Sequence, residues 1–380
     1  MCKVRLGDVA IEIRETCREK DSELPVVALE HLTPGEIRLM NWSIGGDNTF
    51  SKCFHKGQVL FGRRRAYLKK AALAPFDGIC SGDITVIEAK PNRLLPELLP
   101  FIIQNDDFFD YAVGKSAGSL SPRVKWEHLQ KYEFNLPSLE EQRKLADLLW
   151  SAYDLKESYK RLLAASDEMA KSRFVEMFGE DSNYTFEPLC KNVEEMFIGP
   201  FGSSLKNDCF VAKKDAFCMV YEQKHAIQKT MNVETRYVNE SKYKELKRFT
   251  VCGGDIIVSC RGTVGEIYVV PKNAPLGIMH PSIMKIRLNP SAYNTTFFSY
   301  LLNRYMQLHS EESKGSGVKM AVTANVLGRE SFCKPPIEVQ NEFATFIEQL
   351  DKTKTIIQES IEILDIAIHN LISNSFGGYS

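Results

Sequence analysis

The chain has 380 residues, 44% of them apolar and 26% charged, and carries a formal net charge of -1 at pH 7. That length exceeds what one core usually serves and favours two or more domains. The near-neutral balance excludes polyelectrolyte behaviour, so any nucleic-acid contact has to come from local clusters of charge.

The first residues, MCKVRLGDVAIEIRE, contain no run of seven apolar residues after a basic start, and no later stretch reaches the length of a membrane span. A cytoplasmic protein without membrane contact is expected. The ten cysteines form no CxxC pair and no Cys/His cluster at zinc-finger spacing, so reduced, mostly buried thiols are expected.

From the N-terminus to about Asn135, short apolar runs such as QVLF and DITVI alternate with Gly, Pro and Asn, the pattern of strands broken by turns. LPELLPFIIQNDDFFDYAV (95–113) reads as helical. Within this α+β segment, SKCFHKGQVLFGRRRAYLKK (51–70) holds Lys52, Lys56, Arg63, Arg64, Arg65, Lys69 and Lys70 and no acidic residue. Arginines on a turn after a strand can bridge phosphates or contact guanine bidentately, and a solvated basic surface is the competing reading. Arg123 and Lys125 in GSLSPRVKW add a second candidate cluster, in which small residues let the backbone approach a phosphate.

PSLEEQ (137–142) then marks a change of character. Pro137 ends a strand ladder, Ser138 can cap a helix, and Glu140 and Glu141 favour its positive end. No Pro or Gly follows until after Phe178, and Leu145, Leu148, Ala152, Leu155, Tyr159, Leu162 and Met169 recur at heptad spacing. A rod of roughly 60 Å is expected, at about 1.5 Å per residue.

The text then repeats. From about Tyr184 to Cys333 strand-like runs such as DIIVS and EIYVV return, with Lys206 after GPFGSS, Arg261 in the CRGTVG turn, and Lys314 and Lys319 in SKGSGVKM as further DNA-contact candidates. Ordinary tight turns and a flexible connection compete with that reading. PPIEVQ (335–340) echoes the earlier hexamer 198 residues on, and Phe376-Gly377 echo Phe178-Gly179 at the same offset. A second long helix follows, with Phe343, Phe346, Leu350, Ile357, Leu364, Ala367 and Leu371 as its seam. Two similar halves are the simplest reading.

In this order and spacing the chain resembles the specificity subunit of type I restriction-modification systems over its whole length. GQVLFGRRRAYLKKAAL (57–73), FDGICSGDITVI (76–87), IGPFGSSLKNDCF (198–210) and GDIIVSCRGTVGEIYVV (254–270) carry the resemblance, with the proline-Leu/Ile-Glu-x-Gln start of each helix. Val339 departs from it, standing where a second acidic residue is expected, as does Lys334 before Pro335-Pro336. The resemblance implies an α+β protein with two target recognition domains separated by two long helices that form an antiparallel coiled coil, related by an internal pseudo-two-fold. The expected boundaries are 1–135 and 180–333 for the domains, and 136–179 and 334–380 for the helices. It further implies double-stranded DNA with a bipartite site as target, two methyltransferase subunits and restriction/translocase subunits as partners, and no catalytic centre or cofactor in this chain.

Enzyme signals are weak. Asp77, Glu88 and Lys90 imitate a metal-dependent nuclease core, but the aligned second half offers Leu276, Arg287 and Asn289. NPSAY (289–293) approaches the loop of adenine-N6 methyltransferases with spoiled spacing and no glycine-rich cofactor loop, and no Walker motif exists. The rival of another class is a coiled-coil interaction adaptor that does not bind DNA.

Overall fold

The computed structural model describes residues 2–17, 24–45, 49–179, 183–316 and 323–377, with the side chains of 310–316 outside the description. It divides into two units, Met1–Leu163 with Ile356–Ser380, and Ala164–Thr355. Among the described residues no helix is long and apolar enough to cross a membrane.

In the first unit, Ala10–Ile13, Ile84–Ala89, Val59–Gly62 and Ala71–Leu73 form an antiparallel sheet in that order. A second sheet orders Ser43–Ile44, Pro25–Val27, Gly78–Cys80 and Lys52–Phe54, with its central pair parallel. Cys2–Arg5 pairs with Glu133–Leu136. The strands VLFG and ITVIEA are apolar on both faces because both faces are covered. Val59, Phe61 and Ile87 enter a core shared with Leu149, Tyr153, Ile368 and Ile372 of the long helices. Their neighbours Leu60, Val86 and Ile84 point the other way, into a core with Val27 and Phe54 of the second sheet.

The second unit repeats this strand for strand. Val193–Ile198, Ile283–Leu288, Ile256–Ser259 and Ile267–Val269 form one sheet, and Tyr237–Val238, Cys218–Tyr221, Gly277–Met279 and Thr250–Val251 the other, again with a parallel central pair. Thr185–Pro188 pairs with Ser331–Lys334. Ile256 and Val258 enter a core with Phe174, Phe178, Phe343 and Leu350, while Ile257 faces Tyr221 and Met279. The stretch 95–113 is less regular than expected. Asn105 interrupts it with extended backbone and caps Asp106–Gly114, its side chain accepting from Asp107 N–H, so the preceding helix stops at Ile103.

The long helices span Leu139–Phe178 and Ile337–Phe376, 40 residues each. Ser138 and Glu141 form a reciprocal capping box, with Ser138 N–H to Glu141 Oε2 at 3.0 Å and Glu141 N–H to Ser138 Oγ at 3.4 Å. Val339 removes the acidic half of that device from the second helix. What both starts share is a buried glutamine. Gln142, 1% exposed, donates to Pro137 O (3.0 Å) and Arg93 O (3.1 Å) and accepts Leu95 N–H (2.9 Å). Gln340, 0% exposed, does the same with Pro335 O (2.8 Å), Ala292 O (3.0 Å) and Asn294 N–H (2.9 Å). Each glutamine ties the helix start to the loop that follows the last strand of the main sheet.

The expected seam of the first helix holds only in half: Leu145, Ala152 and Tyr159 are half-buried, the first and second of them against the core. Leu148, Leu155 and Leu162 are 52%, 46% and 47% exposed, and Met169 is exposed as well. The inward face instead carries Gln142, Ala146, Leu149, Tyr153 and Lys156, then Ser166, Ala170, Phe174 and Phe178. Three-four spacing holds, but with polar members that an apolar pattern passes over. On the second helix Phe343, Leu350 and Ile357 are buried as expected, Phe346, Leu364 and Leu371 partly so, and Ala367 is exposed.

Not all cysteines are thiols. Cys17 and Cys53 form a disulfide, with Cα atoms 5.7 Å apart. Cys17 N–H to Ser51 O (2.9 Å) and Cys53 N–H to Glu15 O (3.0 Å) lay the two segments side by side, a pairing 36 residues apart that no local spacing announces.

Candidate nucleic-acid interface

In the first unit the two basic clusters converge. Arg63, just after Val59–Gly62, accepts Val124 N–H at 3.0 Å on its carbonyl, and Arg65 N–H donates to Pro122 O at 2.8 Å. The turn holding Arg63, Arg64 and Arg65 therefore runs beside the segment holding Arg123 and Lys125. Lys52, Arg63 and Lys125, with Glu12, Arg14 and Trp126, line an open cleft of about 490 Å³.

Acidic residues remote in sequence neutralise part of this charge. Asp83 accepts from Arg123 Nε at 2.7 Å and from its terminal nitrogen at 3.3 Å, and Arg64 reaches the same carboxylate at 3.4 Å. Arg64 Nε also donates to Ser121 Oγ at 3.1 Å. The Arg123 hydrogen bond holds the Asp83 carboxyl below the usual carboxylate range and raises Arg123 in turn. Lys69 is ion-paired with Asp106, and Lys70 Nζ donates to Leu29 O at 2.7 Å. Lys52 Nζ donates to Ile84 O at 2.9 Å, 3.8 Å from Glu12, and burial pulls it below the ordinary lysine value.

Among the described residues of the two clusters, Lys56, Arg65 and Lys125 point outward, and Arg63 lines the cleft. Arg65 and Lys125 are exposed, with no side-chain hydrogen bond or ion pair among the described residues. Arg63 Nε is buried and has no hydrogen-bond partner there, a costly state for a charged donor unless a ligand completes it. Arg65 also adopts φ +54°, a left-handed conformation that costs a side-chain-bearing residue roughly 1–2 kcal/mol.

The second unit supplies the comparison. Gly62 pairs with Ile84 and Ser259 with Ile283 in equivalent strands, so Cys260, Arg261 and Gly262 stand where Arg63, Arg64 and Arg65 stand. The backbone agrees: Arg63 N–H donates to Asp83 O at 2.9 Å and Cys260 N–H to Ser282 O at 2.8 Å, and Gly262 has φ +67°. Ser282 replaces Asp83, and Arg261 is exposed without a hydrogen bond or ion pair among the described residues. Lys206 is exposed just before the Asn207–Cys209 turn. Of Lys314 only the helical backbone is described, and Lys319 lies outside the described residues.

Each of the catalytic look-alikes is engaged in a separate structural contact. Asp77 accepts Lys56 N–H at 2.7 Å, Glu88 accepts from Gln58 Nε2 at 2.6 Å, and Lys90 donates to Gly7 O at 2.7 Å. In NPSAY, Asn289 accepts Ser291 N–H at 3.0 Å and buried Tyr293 donates to Phe332 O at 3.3 Å, so the segment is a turn that holds the last strand.

The sequence reading missed Asp83, because it lies outside the basic stretch, and missed the inward role of the two glutamines. Their identical place in the two hexamers was the available signal.

The family described as type I restriction modification DNA specificity domain matches residues 2–164 and 191–364. The type I restriction enzyme EcoDI specificity subunit of Escherichia coli is 25% identical over 160 residues, 39% of this chain and 35% of that relative. The match thus spans about a third of that relative's length. Two solved structures share the fold. The type I restriction-modification system S subunit from M. genitalium has a TM-score of 0.61 at 14% identity, over 100% of this chain and 96% of that one. A chain from a study of complex assembly and conformational transition of the type I R-M system has a TM-score of 0.59 at 18% identity, over 98% and 97%.

Proposed function

The chain belongs to the type I restriction-modification DNA specificity family, and from that membership we propose that it reads a divided DNA target and holds the methyltransferase subunits over it. The observation that carries this reading is the doubled framework: two units of the same strand order, each leading through a glutamine-anchored start into a long helix. A chain with two such units can read two short sequences, and the gap between them goes unread.

In the first unit Arg63, Arg65 and Lys125 make the direct contacts, Arg63 to a base edge from the cleft and the other two to phosphates. Arg64 and Arg123, held by Asp83, shape the turn. In the second unit Arg261 and Lys206 take the contacting role. The chain acts without a catalytic centre of its own, and cleavage requires the restriction/translocase subunits. The exposed Leu148, Leu155 and Leu162 of the first long helix, with Ile356, Ile363 and Ile366 of the second, form apolar stripes of the kind that partner helices cover. The internal repeat provides for two methyltransferase subunits.

Salt dependence separates this reading from an adaptor that binds only protein. The assembled complex should lose roughly 10³-fold or more in DNA affinity between about 50 and 200 mM salt if six or more phosphates are contacted. Affinity that does not change over that range would refute it.

A further inference from the structure

Each unit contains one ion pair that crosses between the two long helices in the same way. In the first unit Lys156 Nζ lies 2.5 Å from Asp365 Oδ1. In the second, Lys354 Nζ lies 2.6 Å from Asp167 Oδ1. Lys354 stands 198 residues after Lys156, and Asp365 stands 198 residues after Asp167. Each helix thus carries a lysine and, eleven residues later, an aspartate, and gives its lysine to the other helix's aspartate. A further cross-helix pair, Arg173 with Glu342, has no such counterpart, since Lys144 and Leu371 hold the repeated positions.

We propose that these reciprocal Lys–Asp pairs fix the register of the two helices and thereby the length of the unread gap in the DNA target. This rests on the reading of a divided target given above. Leu149, Ile368 and Ile372 are aliphatic groups whose burial is non-directional, so exchanging one for another along the seam costs less than stranding a charge. A charged group is different. Lys156 is buried on the inner face, over the Tyr153 ring. A slip of one heptad would set it against Gln358 or Ile372, leaving a desolvated ammonium without its carboxylate. A slip in one direction likewise sets Lys354 against Phe174. A polar residue in an otherwise apolar seam is a known way to specify register at little or no gain in stability.

The test uses the complete chain co-assembled with its methyltransferase subunits, and maps methylated adenines. A Lys156→Met, Lys354→Met variant should unfold at or above the wild-type temperature, keep both half-site sequences, and methylate sites of at least two gap lengths. A charge-swapped variant (Lys156→Asp, Asp365→Lys, Asp167→Lys, Lys354→Asp) should return to the single wild-type gap. A single unchanged gap in the methionine variant overturns the inference. If that variant does not fold, the swapped variant decides: recovery of the wild-type gap supports the inference, and failure to recover it overturns it. Failure of the underlying reading looks different, since the wild-type complex itself would then methylate no divided site.

Discussion

The two units share a framework and differ at one turn. Strand order, the parallel central pair and the buried glutamine are common to both, whereas the first turn presents Arg63, Arg64 and Arg65 with Asp83 beneath and the second presents Cys260, Arg261 and Gly262 with Ser282 beneath. The same backbone, left-handed at its third position in both, can therefore carry dense or sparse positive charge. Framework and turn thus vary independently: buried strands and the glutamine anchors build the unit, and the turn is free to change its charge.

The comparison breaks most visibly if the turns are disarmed. Replacing Arg63, Arg64 and Arg65 together with Ala should weaken binding by at least about 30-fold, from two lost bidentate or charged contacts at about 1–3 kcal/mol each. Arg261→Ala should cost on the order of tenfold. Equilibrium binding to the methylated target, with each half-site randomised in turn, reads both effects.

The shared framework makes the next prediction. Gln142→Ala and Gln340→Ala should each destabilise their own unit by about 3 kcal/mol, because a buried backbone N–H and two carbonyls lose their partner at once. Unequal costs in urea unfolding would show that the two anchors are not equivalent. Smaller, and opposite in sign, Arg65→Gly should stabilise the first unit by about 1 kcal/mol by relieving the left-handed side chain, while weakening DNA binding. Gly262→Arg should do the reverse.

The smallest effect is the pH dependence that Asp83 gives the first unit. The Arg123 hydrogen bond lowers the Asp83 carboxyl, so its stabilising contribution is present above the unfolded carboxylate value and is lost as pH falls through the lower folded value. An Asp83→Ser variant, which copies the second unit, should therefore be less stable than wild type at pH 7 and approach it in acid. Stability curves measured from pH 7 down to pH 3 check this.

Much of the fold was legible in the sequence because it is written twice. The proline hexamers locate both long helices, which begin at Leu139 and Ile337, right after Ser138 and Pro336, and the short apolar runs around Val59 and Ile256 are buried strands. The seam of the first helix was legible in part: Leu145 and Ala152 pack against the core, but Gln142, Lys156 and Ser166 occupy inward positions that an apolar count skips, and Leu148, Leu155, Leu162 and Met169 are exposed. The second helix has Phe343, Leu350 and Ile357 on its inner face and could be read. One repeat escaped for a different reason. His31 and His225 each accept a backbone N–H on Nδ1 at 3.0 Å, from Ala28 and Glu222, but insertions displace them from the common offset. In the candidate interface the arginine turn was visible, and its neutralisation was not, because Asp83 and Asp106 reach it only through the fold.

The most direct test is to map adenine methylation in cells expressing the chain with its methyltransferase subunits. The expected result is a target of two short defined sequences separated by a gap of constant length and free composition, with only the first sequence lost in the Arg63/Arg64/Arg65→Ala variant. A continuous target, or loss of both sequences together in that variant, would contradict the assignment of one half-site to each unit.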